Sequence, residues 1–500
     1  METVTITKTE YDALKANNAH LERQVEYLLS QMRLARHKQF GASSEKSEYD
    51  VRQLSLFNEA EFFTAPTPDT ELIEIEKHYR KRTRLTTDKL PDDLPVEVVE
   101  YEVSEAERIC PDCGEPLHKI GQDCRRELVI IPAQAKIREH VRHVYACRHC
   151  EVTSDHVLIM KAALPEPVIK GGFASPEAIA HIITQKFVMS VPLYRQEQEW
   201  NRQGIKLSRQ TMSNWLIRAA EDWLEPIYNE LKRQLVKRNV LHADETTLQV
   251  LKEPGKTAQS KSYMWLYRTS GDAEHPIVLY DYQPDRKAKR PQEFIRDFKG
   301  YLHADGYEGY HKLPAQITIV GCWAHLRRKF DEALKSIPEK YQAESLALVG
   351  KHYCDKLFEL ERKFTELTPQ ARFEKRQETS KPLMEEFFAW VDSCGALPKS
   401  PVGKASYYAK SQRKYLERYL EDGRLEISNN RAERSIKPFV IGRKNFLFAF
   451  SPKGAKASAI VFSLIETAKE NGINPYDYLL RIFQQAPNRT PAVNLLPHHA

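Results

Sequence analysis

The 500-residue sequence lacks a long hydrophobic run, and no apolar stretch approaches the ~20 residues that a membrane-spanning helix needs. Its first residues, METVTITKTEYDALKANN, also lack the basic-then-apolar pattern of a secretory signal. These two absences predict a cytoplasmic protein.

Cysteine is scarce as well, and eight residues in a chain of this length do not suggest a disulfide scaffold. Four of them form two C-x-x-C pairs, Cys110 with Cys113 and Cys147 with Cys150. Each pair can supply two thiolates to one tetrahedral Zn²⁺, and two pairs close a four-cysteine structural site. Together with the strand-like sequence between the pairs, they predict a zinc module over 105–160.

A strong charge of one sign is also missing, since the formal net charge is only +6. Basic residues nevertheless cluster in short runs at 78–84, 325–330 and 410–418. Such runs are usually solvated faces, and the sharper interpretation is a polyanionic partner. The hydrophobic fraction of 41% is enough for cores, and the length predicts two to four domains.

The N-terminal region carries a heptad pattern over 8–38. The two seam positions hold Tyr11, Asn18, Val25 and Met32, and Leu14, Leu21, Leu28 and Ala35. This pattern predicts a coiled-coil helix and hence a homodimer or higher oligomer; the alternative is a helix packed on its own domain. The stretch 39–104 has little regular pattern and is interpreted as a linker with a basic arm.

A helical region is predicted over 174–235. Ser175-Pro-Glu has the composition of a helix start, and a second start at Ser208 follows a break at Gly204. A helix, a glycine-containing turn and a second helix resemble a helix-turn-helix, although bundles of short helices look similar. In the DNA-binding interpretation the residues that reach base edges are Arg209, Gln210 and Asn214.

Short strands dominate 239–325. Three strand-like segments form a meander, a helical segment follows, and YLHADGYEGY and ITIVGCWAH supply further strands. This strand-strand-strand-helix-strand order indicates an α/β domain and is the order of the ribonuclease H fold, in which the first and fourth strands are neighbours. We assign the domain to 239–465, with a charged helical insertion over about 326–425.

The C-terminal part is predicted to be helical. Asn429 or Asn430 can cap a short helix, and Pro438 is expected to end it. A last helix and tail are assigned to 466–500, and the tail is expected to be loose from Pro487 onwards.

The tetrapeptide Leu-His-Ala-Asp occurs twice, ending at Asp244 and at Asp305. An aspartate after an apolar run is often only a strand end or a helix cap. If the two runs are neighbouring strands, however, their carboxylates meet and can hold Mg²⁺ or Mn²⁺, which prefer oxygen ligands. A third carboxylate is needed from downstream, and Glu433 and Glu426 are the candidates.

Histidine and arginine side chains near these acids suggest phosphate contacts. Strand alternation places His242 with Asp244 and His303 with Asp305, where the imidazoles either orient ligands, contact a phosphate or are simply polar strand residues. Further candidates for phosphate contact are His325, Arg327, Arg328 and Arg434, for which an exposed side chain without a specific role is the default interpretation.

Several long motifs resemble the DDE transposases of the insertion sequence 66 family. In chain order they are FGASSEKSE, QLSLFNEAE, CPDCGEPL, CRHC, HADET, LHADGYEGY, CWAHLRRKF and SNNRAERSIKPFVIGRKNFLF. The resemblance covers about 10–485. It implies a multidomain α+β protein with a coiled coil, a four-cysteine zinc module, a helical DNA-binding region and a ribonuclease H-like catalytic domain.

The resemblance also implies a mechanism. Asp244, Asp305 and Glu433 become the catalytic metal ligands for two Mg²⁺ or Mn²⁺ ions, while Glu426 lies in LEISNN, where the family also tends to place an acid. The expected reaction is cleavage at the ends of an element in double-stranded DNA, followed by strand transfer to target DNA, with accessory proteins from the same element as companions. The alternatives are a non-catalytic DNA-binding regulator and a nuclease that cuts without joining.

Overall fold

The computed structural model describes residue 8 and residues 96–99, 115–116, 134–147 and 159–499. Apart from Lys8, the predicted coiled coil lies outside the described residues, as do most of the predicted linker and three of the four predicted zinc ligands, Cys110, Cys113 and Cys150. The chain divides into two compact units, Thr67–Leu164 and the remainder.

The smaller unit contains a two-stranded antiparallel ribbon. Strand β1 (Val144–Ala146) pairs with β2 (Ile159–Lys161), with Val144 opposite Lys161. Cys147 follows β1 directly and is exposed. Strand β1 therefore lies where the sequence predicts strands, between the two C-x-x-C pairs, whereas β2 follows the second pair and was not predicted.

In the larger unit, the region predicted to be helical over 174–235 forms four helices: α1 (Pro176–Phe187), α2 (Leu193–Arg202), α3 (Arg209–Ala219) and, after a π-helical turn, α4 (Glu225–Leu235). The Ser175 and Ser208 hydroxyls cap α1 and α3, accepting hydrogen bonds from the Ala178 and Thr211 amides, each at 3.1 Å. Both predicted helix starts are confirmed.

A five-stranded mixed sheet follows, in the spatial order β5-β4-β3-β6-β7. Its strands are β3 (Val240–Gln249), β4 (Lys261–Thr269), β5 (Val278–Gln283), β6 (Gly300–His303) and β7 (Ile317–Val320). Strands β3, β4 and β5 form the predicted antiparallel meander, and β6 and β7 continue the sheet in parallel with β3. The first strand of this sheet thus lies beside the fourth, as expected.

The centre of the sheet is covered on both faces, which explains why β4 reads as an apolar run without clean alternation. On one face Tyr267 stacks on Phe294 of the short helix α5 (Lys289–Phe294), with ring centroids 4.2 Å apart. On the other face the buried Arg268 guanidinium donates to Glu470 at 2.9 and 3.0 Å. A further short helix, α6 (Glu308–His311), follows β6.

Helices occupy the chain between β7 and residue 416, in agreement with the helical character predicted for about 326–425. They are α7 (Trp323–Lys335), α8 (Leu346–Lys363), α9 (Pro369–Lys375), α10 (Lys381–Ser393) and α11 (Pro401–Leu416). They build a second core around Trp323, Phe330 and Phe387. Inside it, buried Arg376 pairs with Glu361 at 2.6 Å and donates to the Leu425 carbonyl at 2.8 Å, which ties the insertion to the segment before the last acid.

Three helices complete the unit: α12 (Asn430–Phe446), α13 (Pro452–Glu470) and α14 (Pro475–Gln485). The prediction that Pro438 ends its helix is wrong, because α12 continues to Phe446. The missing proline amide costs one hydrogen bond, but Ile436 and Phe439 beside it are buried in the main core, and this packing outweighs the local preference.

The tail is packed, contrary to the expectation of a loose segment from Pro487. Leu495 and Leu496 are buried, and the Tyr478 hydroxyl donates to the Leu495 carbonyl at 2.8 Å. The assigned domain boundary at 465 falls inside α13.

None of the described helices combines the length and the apolar composition that a membrane span requires.

Candidate active site

The two Leu-His-Ala-Asp copies lie side by side. In the parallel pairing of β3 with β6, Leu241 is opposite Leu302 and His242 is opposite His303. Asp244 lies within β3, two residues after His242. Asp305 lies two residues after His303, the last residue of β6. The first carboxylate accepts a hydrogen bond from the Glu245 amide at 2.8 Å, and the second accepts one from the Tyr307 amide at 2.9 Å.

Glu433 reaches the same place from the first turn of α12, a helix that packs on β3. Its side chain is buried. Burial raises the pKa of Asp244 well above its ordinary value, and the negative charges of Glu245, Glu433 and Asp305 raise it further. The three acids proposed from the sequence therefore lie close enough in space for their charges to interact.

Glu245 is a fourth acid that the sequence analysis did not single out. Its buried carboxylate accepts hydrogen bonds from Arg286 Nε at 2.7 Å and from the Tyr310 hydroxyl at 2.5 Å. Burial and the charge of Asp305 raise its pKa despite these donors. Since Glu245 already has two partners, it supports the cluster and is a weaker candidate than Asp244 for binding a cation. The sequence feature that could have identified Glu245 is its position directly after Asp244.

Two side chains of α7 contact Glu433. Arg328 Nη2 lies 3.2 Å from Glu433 Oε2, and His325 Nδ1 lies 3.6 Å from Glu433 Oε1. Burial lowers the pKa of His325, but Cys322 and Glu433 outweigh it and bring the pKa to about 9. Within the described residues, ligand atoms of Cys322, His325 and Glu433 lie within 4.8 Å of one another. His325 and Arg328, which the sequence predicts to contact phosphate, thus lie beside Glu433.

The position of Arg327 does not agree with the phosphate contact that was predicted for it. Its side chain is 1% exposed and pairs with Asp355 of α8 at 2.5 Å, inside the helical insertion. Successive helix positions point in different directions, so Arg327 and Arg328 serve different surroundings. Arg434 is exposed on α12, directly after Glu433 in the chain.

His242 and His303 are fully buried and stack on each other, with ring centroids 4.3 Å apart. His242 Nδ1 lies 3.0 Å from Asn429 Oδ1, and His303 Nε2 accepts a hydrogen bond from the Glu426 amide at 3.2 Å. Burial holds the pKa of His303 well below its ordinary value. Neither imidazole is accessible to a phosphate; the pair joins β3 and β6 to the segment that precedes α12.

Glu426, the alternative third acid, has other partners. Its Oε1 accepts hydrogen bonds from Arg431 Nε at 2.6 Å and from the Gly271 amide at 3.2 Å, and it lies 3.5 Å from His242 Nε2. Burial opposes ionisation, but His242 and Arg431 outweigh it and hold the pKa of Glu426 well below its ordinary value. Its charge is therefore balanced within the protein.

Tyr408 is a neighbour of the acids that sequence analysis missed. It comes from α11 of the insertion, and a Cβ placed on Gly306 would lie 2.9 Å from the tyrosine hydroxyl. Burial raises the pKa of Tyr408, and the charges of Cys322 and Asp305 raise it further. No local motif marks this tyrosine, because only the packing of the insertion brings it beside Asp305.

The predicted helix-turn-helix residues lie on α3. Between α2 and α3 the chain turns at Gly204, whose φ of 78° is in the left-handed region that glycine adopts without strain. Arg209, Gln210 and Asn214 are exposed; Gln210 donates to Asn214 Oδ1 at 3.0 Å, and Arg209 lies 3.9 Å from Glu197 of α2. These side chains are accessible to a partner.

Sequence comparisons extend over most of the chain. Family models match as follows: "Transposase IS66 family" over 171–457, "zinc-finger binding domain of transposase IS66" over 107–151, "Transposase C of IS166 homeodomain" over 27–99 and "IS66 C-terminal element" over 463–496.

Similar proteins occur in Sinorhizobium fredii. The uncharacterized protein y4qI is 30% identical over 508 aligned positions, which cover 97% of this chain and 90% of that protein. The uncharacterized protein y4jD is 30% identical over 81% of this chain and 80% of its own length. With more than half of the sequence matched by the first family model, the chain belongs to the IS66 family of insertion-sequence transposases.

Proposed function

We propose that the protein cleaves the ends of its element and joins them to target DNA by a DDE mechanism, with Asp244, Asp305 and Glu433 as the catalytic carboxylates. The observation that carries this proposal is geometric: β3 and β6, which present Asp244 and Asp305, are neighbouring parallel strands, and the helix that carries Glu433 packs on β3. The sheet order and the first strand's position beside the fourth support a ribonuclease H-like domain that extends from β3 to the end of α13.

The donor set fits hard divalent cations. Within 159–499 neither Asp244 nor Asp305 forms an ion pair, and Glu433 Oε1 is buried without a hydrogen-bond donor. The buried side chain of Asn430, one turn before Glu433, is also unsatisfied among the described residues. Since buried polar atoms normally have partners, these atoms are suited to receive a ligand. When bound, Mg²⁺ or Mn²⁺ would activate the attacking oxygen and stabilise the leaving oxygen.

The protein's own cations complete the site. His325 and Arg328 approach Glu433 from α7, and both are partly exposed, so they can also contact the phosphate that is cut. Arg434 can contact the DNA backbone from the exposed side of α12. In the first reaction a water oxygen adds to phosphorus and the 3′ oxygen leaves as a hydroxyl; in the second that hydroxyl displaces a 3′ oxygen of the target.

The other parts of the chain supply DNA binding and assembly in this proposal. The α2–α3 pair presents Arg209, Gln210 and Asn214 to the element ends. Cys110, Cys113, Cys147 and Cys150 hold a structural Zn²⁺, a donor set that suits this ion. The segment 8–38 forms a coiled coil that makes a dimer or higher oligomer, and accessory proteins of the element take part.

Cleavage of DNA that carries the element ends, in the presence of Mg²⁺, tests the catalytic assignment. Asp244→Ala, Asp305→Ala and Glu433→Ala should each lose at least about a thousandfold in cleavage, on the order of 4 kcal/mol in transition-state stabilisation. Each should still bind the DNA. Asp297→Ala is a matched control, because this aspartate is 75% exposed and, among the described residues, its ion pair is with neighbouring Arg296.

The same assay separates the remaining alternatives. If Glu433→Ala stays active while Glu426→Gln is inactive, the third acid is Glu426. If ends are cut but joined products never appear, the protein is a nuclease without strand transfer.

A further inference from the structure

Three large apolar side chains are exposed together at the end of α12. Leu447 is 64% exposed, Phe448 41% and Phe450 60%. We call residues 447–450 the aromatic turn. Scattered exposed apolar residues are ordinary, but a contiguous group on a rigid segment marks an interaction surface.

The backbone of the aromatic turn is strained. Leu447 has φ 64° and ψ −51°, and the Phe448 amide donates to the Phe446 carbonyl at 2.7 Å, which closes a γ-turn. This form of γ-turn is rare and costly for a residue with a side chain. The turn projects the leucine and the following phenylalanine away from the core.

Hydrogen bonds to the end of β3 hold the aromatic turn in place. The Ala449 amide donates to the Gln249 carbonyl at 2.9 Å, and the Leu251 and Lys252 amides donate to the Ala449 and Phe450 carbonyls at 3.0 Å each. β3 is also the strand that carries Asp244. The aromatic turn is therefore fixed to the same element as the candidate active site.

The surroundings of the aromatic turn are basic. From residue 434 to residue 465 the chain has six lysines and arginines and no acid. Lys252 Nζ lies 4.5 Å from the centre of the Phe450 ring, and Lys444 and Lys453 are exposed on either side of the turn in sequence. Exposed flat apolar groups among cations fit a polyanion with aromatic faces, which is the chemistry of unpaired nucleotides.

We propose that the aromatic turn stacks on unpaired bases of the DNA that the enzyme cuts. This inference rests on the proposed function, because it requires DNA at the acids. Helix α12 leads from Glu433 to Phe446, a span of about 20 Å at about 1.5 Å per residue. The contacted bases therefore lie within about six nucleotides of the cut, at about 3.4 Å per nucleotide.

Binding of the full-length protein to two DNA probes, in EDTA so that no cleavage occurs, tests this proposal. One probe is a short duplex with a central bubble of unpaired bases, and the other is the same duplex fully paired. The native protein should bind the bubble more tightly. Phe448→Ala/Phe450→Ala should lose about tenfold in affinity for the bubble and little for the paired duplex. Phe448→Trp/Phe450→Trp should restore the preference.

Two control variants make the result specific. Tyr407→Ala removes an aromatic side chain that is 73% exposed on the insertion, and it should leave both affinities unchanged. Lys444→Ala/Lys453→Ala should weaken both complexes equally and reduce their salt dependence.

The proposal is overturned if the native protein binds both probes equally, or if the double alanine variant keeps the native preference. It is also overturned if this variant converts an oligomer to a monomer, since the turn would then bind a second copy. A failure of the catalytic proposal is recognised separately, because Asp305→Ala would then keep the native rate of cleavage in Mg²⁺.

Discussion

At the scale of single residues, similar side chains have different surroundings and therefore different roles. Glu433 and Glu426 lie seven residues apart in the chain. Glu426 is held by Arg431 and a backbone amide, whereas one oxygen of Glu433 lacks a hydrogen-bond donor among the described residues. Acid residues in a motif can be recognised from sequence, but the balance of their charges depends on partners from distant parts of the chain.

Arg327 and Arg328 show the same contrast and give a prediction. Arg327→Ala should destabilise the protein by about 2–4 kcal/mol, because it removes a buried guanidinium and leaves Asp355 without its partner. Arg328→Ala should cost less than about 1 kcal/mol in the free energy of unfolding, since its side chain is 34% exposed, but it should slow cleavage. Chemical denaturation and cleavage rates measure the two effects. Equal destabilisation by both variants would contradict this account.

At the scale of elements, one asparagine joins the strand of the first acid to the helix of the third. Asn429 stands at the N-terminus of α12, but its side chain does not cap the helix. Instead, the side-chain Nδ2 donates to the Ala243 carbonyl at 2.8 Å, and the side-chain Oδ1 lies 3.0 Å from His242 Nδ1. The backbone amide of Asn429 donates to Cys322 Sγ at 3.1 Å. The sequence predicted a cap here and could not show that the side chain holds β3.

Asn429→Ala should therefore cost about 2–4 kcal/mol in the free energy of unfolding, because it leaves two buried polar groups without partners. Asn430→Ala is a matched control: this neighbour is equally buried, and its side chain makes no hydrogen bond among the described residues, so its removal should cost clearly less. Thermal unfolding of both variants measures the difference. A control that is as unstable as Asn429→Ala would show that burial alone, and not the bonding of β3, sets the cost.

At the scale of the whole molecule, elements were easier to predict than their limits. The meander, the first helices and the insertion follow local composition and capping residues, and they were recognised from sequence. Pro438 inside α12 and the packed tail around Leu495 were not, because contacts with distant residues override local preference there. Tyr408 was missed for the same reason.

The candidate site divides in the same way. The doubled motif identifies Asp244 and Asp305 because its two copies align on neighbouring parallel strands. Glu245, Tyr408 and the burial of His242 and His303 become evident only once β4, the insertion and the segment before α12 surround those strands.

The proposed catalysis requires that Asp244, Asp305 and Glu433 together hold divalent cations. Titration of the full-length protein with Mn²⁺, followed by electron paramagnetic resonance, measures this binding. We predict that Asp305→Asn and Glu433→Gln each weaken Mn²⁺ binding at least about tenfold, or about 1.4 kcal/mol, while Glu426→Gln binds like the native protein. Native affinity in Glu433→Gln together with loss of binding in Glu426→Gln would contradict the claim.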